Sequence, residues 1–153
     1  MEDVIMIIQN TKRSVILAMM LAVGFTSYTA SNAAANQTVV STCAFCQILD
    51  KKAPAVIIYE DNDVLVLEKR PVRRPVDCLI IPKKHIVNIK DLKISDSYDK
   101  DIVSKMMFVA QELSKRLDGK GDFTITMNNG AESSQSVFHM HAHFRSPNNW
   151  KKS

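Results

Sequence analysis

Several features that would assign a class quickly are missing from this sequence. Aromatic residues make up only 7% of its 153 positions, and no arginine-rich run or basic stripe interleaves with them. Nucleic acid is therefore not an expected partner. No uninterrupted apolar stretch reaches the roughly 20 residues that span a bilayer comfortably. With 4 glycines and 5 prolines, the chain has too few of either for a low-complexity or largely disordered protein. No internal repeat is visible. What is there is ordinary globular composition, 46% hydrophobic, with a net charge of +4 and a pI of about 9.0. That mild positive balance favours anionic partners such as phosphates. The length suits one domain, or one domain with a targeting segment.

The amino terminus has the parts of an export signal. Lys12-Arg13 precede an uncharged, mostly apolar segment from Val15 to Phe25, a polar stretch from Thr26 to Asn32, and then Ala33-Ala34-Ala35. A positive flank, a short apolar core and a small-residue exit define a signal peptide. Residues 1–35 are expected to be one, cleaved near Ala35, giving an exported (periplasmic or secreted) protein without stable membrane association. The alternatives are an uncleaved anchor formed by residues 14–30 and a true start at Met6. Residues 36–42 are polar and expected to be a flexible lead-in.

Local patterns place the remaining elements. Cys43-Ala44-Phe45-Cys46 opens a short helix that ends before Pro54. Val56–Tyr59 and Val64–Leu67 are β-rich runs separated by Glu60-Asp61-Asn62-Asp63, the pattern of a hairpin. A basic loop follows, with Lys69, Arg70, Arg73 and Arg74 punctuated by Pro71 and Pro75. Cys78–Ile81 reads as a third strand stopped by Pro82, with Lys83-Lys84-His85 directly after it. From Ser97 to Asp118, the stripe Ile102, Met106, Val109, Leu113 and Leu117 predicts one long helix, which Gly119 is placed to end. Phe123–Met127 is the next strand, and Asn128-Asn129-Gly130 turns into a serine-rich loop. Together these predict an α+β domain over residues 43–153: an antiparallel sheet of about five strands, one long helix and a short N-terminal helix.

The most informative stretch is Gln135-Ser-Val-Phe-His139-Met-His141-Ala-His143-Phe144, which holds three of the chain's 4 histidines. Strict alternation predicts a strand with His139, His141 and His143 on one face and apolar residues on the other. At about 3.3 Å per residue the outer rings would stand roughly 13 Å apart, too far for one metal ion to hold all three. The row therefore has to divide its labour. An exposed strand face with adventitious metal binding is the plain alternative. Against it stands the loop from Ala131 to Ser136, whose backbone N–H groups and the hydroxyls of Ser133, Ser134 and Ser136 suit an anion. A neutral imidazole facing such a loop is well placed to attack phosphorus.

These ten residues resemble the signature of the histidine triad (HIT) family. The resemblance runs from Cys43 to about Phe144 in the family's order: Cys-x-x-Cys, a Tyr-Glu-Asp hairpin, Leu-Ile-Ile-Pro-Lys-Lys-His, the long helix, Asn-x-Gly and the triad. It implies a nucleotide hydrolase or transferase acting at an α-phosphate, commonly a homodimer, with no organic cofactor. The substrate would be a nucleoside phosphoramidate, a dinucleoside polyphosphate or a related nucleotide conjugate. The non-enzymatic alternative is a nucleotide-binding scaffold with little turnover. By matching position, His141 would be the nucleophile, forming a covalent nucleotidyl-imidazole that water resolves. His143 would donate to the phosphoryl group or leaving atom. Ser136, Asn128, Gln135 and the backbone around Ser134 would hold the nucleotide's phosphate, and Glu68 would meet the ribose hydroxyls.

His139 needs a different task. A Cys-x-x-Cys pair is half of a tetrahedral zinc site. Resemblance to many bacterial members implies Cys43, Cys46, His85 and His139 around one structural Zn²⁺. Four protein ligands leave no position for activating water. The competing possibility is a Cys43–Cys46 disulfide, since export implies an oxidising compartment. Cys78, inside an apolar strand, reads as a small core residue. The chain departs from the family where one residue is inserted between Pro71 and Pro82, and where Asp77 stands in place of a neutral or imidazole side chain near the nucleotide. Arg73-Arg74 and the short tail after the triad are further departures. Trp150 in that tail reads as an anchor or as a surface aromatic.

Overall fold

Alternating and continuous apolar runs build the sheet. A computed structural model describes residues 41–71 and 73–152, so the expected signal peptide and most of the lead-in lie outside the described residues. At the end of that lead-in, Ser41 and Thr42 have helical backbone. The chain then forms α1 (Ala44–Leu49), β1 (Ile57–Glu60), β2 (Val64–Glu68), β3 (Val76–Pro82), α2 (Ser97–Lys115), β4 (Thr124–Thr126) and β5 (Ala142–Ser146). All strand pairs are antiparallel, in the order β1-β2-β3-β5-β4. This is the expected α+β architecture. Among the described residues, no helix is long and apolar enough to cross a membrane.

The sheet has two unlike faces, as alternating side chains require. On β3, Val76, Cys78 and Ile80 enter the core with Val64 and Val66 of β2 and Ala142 and Phe144 of β5. Helix α2 covers this face with Ile102, Met106, Val109 and Leu113. Burying each such side chain stabilises the fold by about 1.5–3 kcal/mol. Asp96 caps the helix, its carboxylate accepting from the Asp99 N–H at 3.1 Å. The opposite face carries Asp77, Leu79, His143 and Arg145, aligned by the β3–β5 register Asp77 to Arg145 and Leu79 to His143.

Two expected boundaries are corrected. Helix α2 ends at Lys115 rather than near Asp118. The carboxy-terminal tail competes for the last turn: Lys151 N–H donates to Arg116 O at 2.8 Å and Asp118 N–H to Asn149 O at 2.9 Å. Leu117 still enters the core, but through a bridge to Trp150. Trp150 lies under the Arg116 guanidinium at 5.1 Å and packs on the core cluster, so it anchors the tail.

The second correction concerns the histidine row. Only His143 belongs to a regular strand, since β5 begins at Ala142. Before that point the chain bends: His139 N–H donates to Val137 O at 2.9 Å, and Met140 N–H to Ile86 O at 2.6 Å. Met140, Ala142 and Phe144 still enter the core at 1%, 0% and 0% exposure, but His139 and His141 between them are buried as well, at 0% and 4%, and Phe138 is 48% exposed. The core-facing positions thus continue two residues beyond the ladder of hydrogen bonds, while burial on the other face no longer alternates.

Candidate functional site

The bend that interrupts the row separates its members. His139 lies fully buried where α1, the end of β3 and the start of β5 meet. Its Nδ1 is 3.5 Å from Cys43 Sγ and 3.6 Å from Cys46 Sγ, while Cys46 Sγ is 3.2 Å from His85 Nδ1. The four ligand atoms all lie within 4.8 Å of one another. A zinc tetrahedron built from Zn–S bonds of about 2.3 Å and Zn–N bonds of about 2.0–2.1 Å has edges of roughly 3.4–3.8 Å, so the fit is close.

The second ring nitrogen of His139 confirms its polarity. Nε2 lies 2.8 Å from the Pro82 carbonyl oxygen, which can only accept, so Nε2 carries the hydrogen and Nδ1 keeps a free lone pair toward the thiols. Such a carbonyl partner is the usual outer support of a metal-bound imidazole. Both cysteines are free thiols rather than a disulfide. Burial, with Cys43 beside it, pushes the Cys46 thiol up to about 12, and burial pushes His139 down to about 4. Cys46 is thus hard to ionise, and His85 and His139 are both held toward the neutral form, until a cation takes the place of the protons. The donor set fits structural Zn²⁺.

His141 points elsewhere. Its Nδ1 lies 2.7 Å from the backbone oxygen of His139, so this nitrogen is the donor and Nε2 keeps the lone pair. The ring is 4% exposed and forms part of a cavity of about 330 Å³ with Phe45, Glu68, Lys69, Ser136 and His143 among its walls. Burial, reinforced by Lys69, lowers the proton affinity of His141. His143 follows at 5.3 Å between ring centroids. Burial first, then Arg145, His141 and Lys69, push it down to about 4. Both rings are therefore neutral near pH 7. Phe45, inside the Cys-x-x-Cys segment, stands edge-on to His139 and to His141 at 5.8 and 5.2 Å, and so joins the two centres.

Of the nucleotide-facing set expected from sequence, Glu68 and Ser136 line the cavity with His141 and His143. Glu68 also receives Arg70 Nη2 at 2.6 Å. The remaining members serve the loop itself. Asn128 Nδ2 donates to Ser133 O at 2.6 Å. Gln135 is 3% exposed, accepts from Gly130 N–H at 2.8 Å, and donates to Val87 O and Val137 O at 2.6 and 3.1 Å. Both amide hydrogens and the amide oxygen of Gln135 thus have backbone partners. The loop expected to cradle phosphate around Ser134 is internally bonded at three of its N–H groups. The N–H groups of Ser133, Ser134 and Gln135 bond back to Gly130 O and Ala131 O. Gly130, at φ +95°, makes that tight return possible. Sequence reasoning passed over Phe45 and Lys69 as wall residues, although one lies within the cysteine motif and the other directly follows Glu68.

Comparison with known proteins agrees with this geometry. The family model described as HIT domain matches residues 50–148. An uncharacterised HIT-like protein of Mycobacterium tuberculosis is 34% identical over 111 residues, covering 72% of this chain and 74% of its own. A HIT family hydrolase from Legionella pneumophila superposes with a TM-score of 0.61 at 29% identity, over 69% of this chain and 92% of that one. A Zn-bound histidine triad family protein from Mycobacterium smegmatis gives a TM-score of 0.56 at 32% identity, over 69% and 75% of the two chains.

Proposed function

This chain belongs to the HIT family, and from that premise we propose that it hydrolyses a nucleoside phosphoramidate or related nucleotide conjugate at its α-phosphate through His141. One observation supports this reading above the others: the His141 Nδ1 hydrogen is fixed on a backbone carbonyl 2.7 Å away, leaving Nε2 unprotonated on a ring that lines the cavity. Attack by that lone pair on phosphorus would form the Nε2–P bond as the leaving group's bond to phosphorus breaks. The leaving group departs with a proton taken from solvent, and water then breaks the Nε2–P bond, giving the nucleoside monophosphate, releasing a proton to solvent and returning His141 to its neutral form. Ser136 and His143 line the same cavity and are assigned to the phosphoryl oxygens and leaving atom. A donor of that kind contributes about 2.7–4 kcal/mol of transition-state stabilisation. Glu68 is assigned to the ribose hydroxyls. Asn128 and Gln135 are assigned to shaping the loop before the triad, Asn128 by its bond to Ser133 O and Gln135 by its three backbone bonds. Zinc at Cys43, Cys46, His85 and His139 supplies structure when bound.

The test is to trap the adduct. Brief exposure to a panel of nucleoside phosphoramidates and dinucleoside polyphosphates, followed by peptide mass spectrometry, is expected to find one nucleotidyl group on His141. Turnover without any adduct, or an adduct on His143, would remove His141 as nucleophile. Homodimerisation is part of the same reading, supported by Met107 and Phe108 exposed on α2 at 36% and 67%, and light scattering checks it. Export remains a proposal from residues 1–35, checked by the intact mass of the secreted form.

A further inference from the structure

Lys69 follows β2 directly, and its backbone N–H donates to Asp77 O at 2.8 Å, which brings the two side chains together. The Asp77 carboxylate is 4% exposed and lies between two cations, with Lys69 Nζ 3.8 Å from Oδ2 and Arg145 Nε 3.5 Å from Oδ1. Oδ1 has no hydrogen-bond partner among the described residues. A carboxylate withdrawn from water requires compensating charge, and these cations provide it electrostatically without closing a short bond. One negative charge cannot neutralise both. The cluster therefore leaves a net positive charge on the sheet face where His143 stands two residues along the same register.

Lys69 is the cation of this cluster that reaches the cavity, whose wall it shares with Ser136, His141 and His143. Its neighbour Arg70 is held by Glu68 at 2.6 Å, whereas the 3.8 Å separation from Asp77 exceeds hydrogen-bond length and leaves the ammonium's donors available. About a third of the Lys69 side chain is exposed. A lysine is a compact point charge with rotatable donors, suited to a phosphoryl group whose oxygens turn during displacement.

We propose that Lys69 is a further phosphate-binding residue of this site, and that Asp77 is the positioning residue that holds its ammonium at the cavity wall. The ligand class is the anionic phosphate of a nucleotide, so the inference rests on the nucleotide reading above. Asp77 confines the lysine to the catalytic face while the pair stays loose enough for a phosphate oxygen to take its donors.

The test compares a nucleoside 5′-monophosphate with its parent nucleoside by calorimetry on the zinc-loaded protein. Lys69→Met is expected to weaken the monophosphate about tenfold or more, equivalent to losing one charge-assisted contact, and to leave nucleoside affinity unchanged. Lys69→Arg is expected to retain most of the binding. Asp77→Asn is expected to weaken the monophosphate by a smaller factor, again without touching the nucleoside. Equal weakening of both ligands by Lys69→Met, together with a lowered melting temperature, would reduce Lys69 to a counter-ion for Asp77 and overturn the proposal. So would unchanged monophosphate binding in that variant while the unmodified protein binds it well. If the unmodified protein binds neither ligand, the nucleotide reading falls, and this inference with it.

Discussion

The Nδ1 hydrogen of His141 rests on the backbone oxygen of His139 at 2.7 Å. The residue offered to zinc through its side chain thus orients the cavity imidazole through its main chain. The two rings hold opposite tautomers, each fixed by a carbonyl that can only accept: Pro82 O for His139 Nε2 and His139 O for His141 Nδ1. One free lone pair consequently faces the thiols, and the other belongs to a ring that lines the cavity. A spacing of two residues is enough to turn a repeated residue into two distinct chemical groups.

If His141 is the nucleophile, its loss is not compensated by a neighbour, because His143 stands 5.3 Å away between ring centroids. His141→Ala is expected to lower kcat by at least about a thousandfold, the scale seen when a covalent catalyst is deleted. The zinc ligands are untouched, so metal content and the melting temperature should stay near those of the unmodified protein. Steady-state hydrolysis and elemental analysis on the same preparation check this. Retention of substantial turnover would end the covalent mechanism.

The metal centre ties α1, the segment after β3 and the approach to β5 to one point. Removing a ligand should therefore act on fold and site together. Cys46→Ser is expected to reduce zinc from about one ion per chain to a small fraction of that and to cost roughly 4 kcal/mol or more, within the range that loss of a structural metal produces. It should also slow turnover, since the His139 carbonyl that orients His141 is no longer anchored. Elemental analysis, urea unfolding and the hydrolysis assay give three separate readouts. A variant that loses zinc but unfolds at the same urea concentration would show that the ion does not organise the fold.

Much of this was legible in the residues. The runs Val64–Leu67 and Cys78–Ile81 and the stripe on α2 announced a buried sheet under one helix, because apolar periodicity survives most tertiary contexts. The four metal-binding side chains were also recoverable, through the family resemblance that joins the Cys-x-x-Cys pair to His85 and His139. What could not be read was set by backbone partners distant in sequence. Met140 pairs with Ile86 and stops the histidine strand short, while Lys151 and Asn149 take backbone partners that shorten α2. Gln135 was expected at the nucleotide by its matching position in the family motif. Its engagement by Gly130, Val87 and Val137 depends on a loop closure that no local pattern reveals.

Gln135 therefore gives a sharp contrast between two roles. As a brace it makes three hydrogen bonds to backbone while 3% exposed, so Gln135→Ala takes this partner from the half-buried Gly130 N–H and Val87 O, whereas Val137 O keeps the His139 N–H. Each such loss costs about 1–3 kcal/mol, and a total destabilisation of about 3 kcal/mol is expected in urea unfolding. Catalysis should fall through kcat as the loop before Ser136 loosens. A variant of unchanged stability with a purely raised KM would restore Gln135 to the nucleotide's contacts.

Acid should weaken the fold through His143. An imidazole in the unfolded chain takes its proton near 6.5, whereas burial and the nearby Arg145, His141 and Lys69 hold it off in the fold until about pH 4. Between those values the unfolded chain binds more protons, so its free energy falls relative to the native state as pH decreases. The contribution of His143 is complete above about pH 6.5 and lost progressively toward pH 4. His85 and His139 shift in the same direction, and zinc release adds to them, so the unmodified protein alone cannot isolate the effect. His143→Gln keeps a polar side chain of similar reach that does not titrate. Urea midpoints measured from pH 7.5 to 4 are expected to fall more steeply for the unmodified protein than for this variant, the two curves separating below about pH 6.5. Parallel curves would mean that the folded ring accepts its proton as readily as the unfolded one, which burial beside Arg145 and Lys69 does not permit.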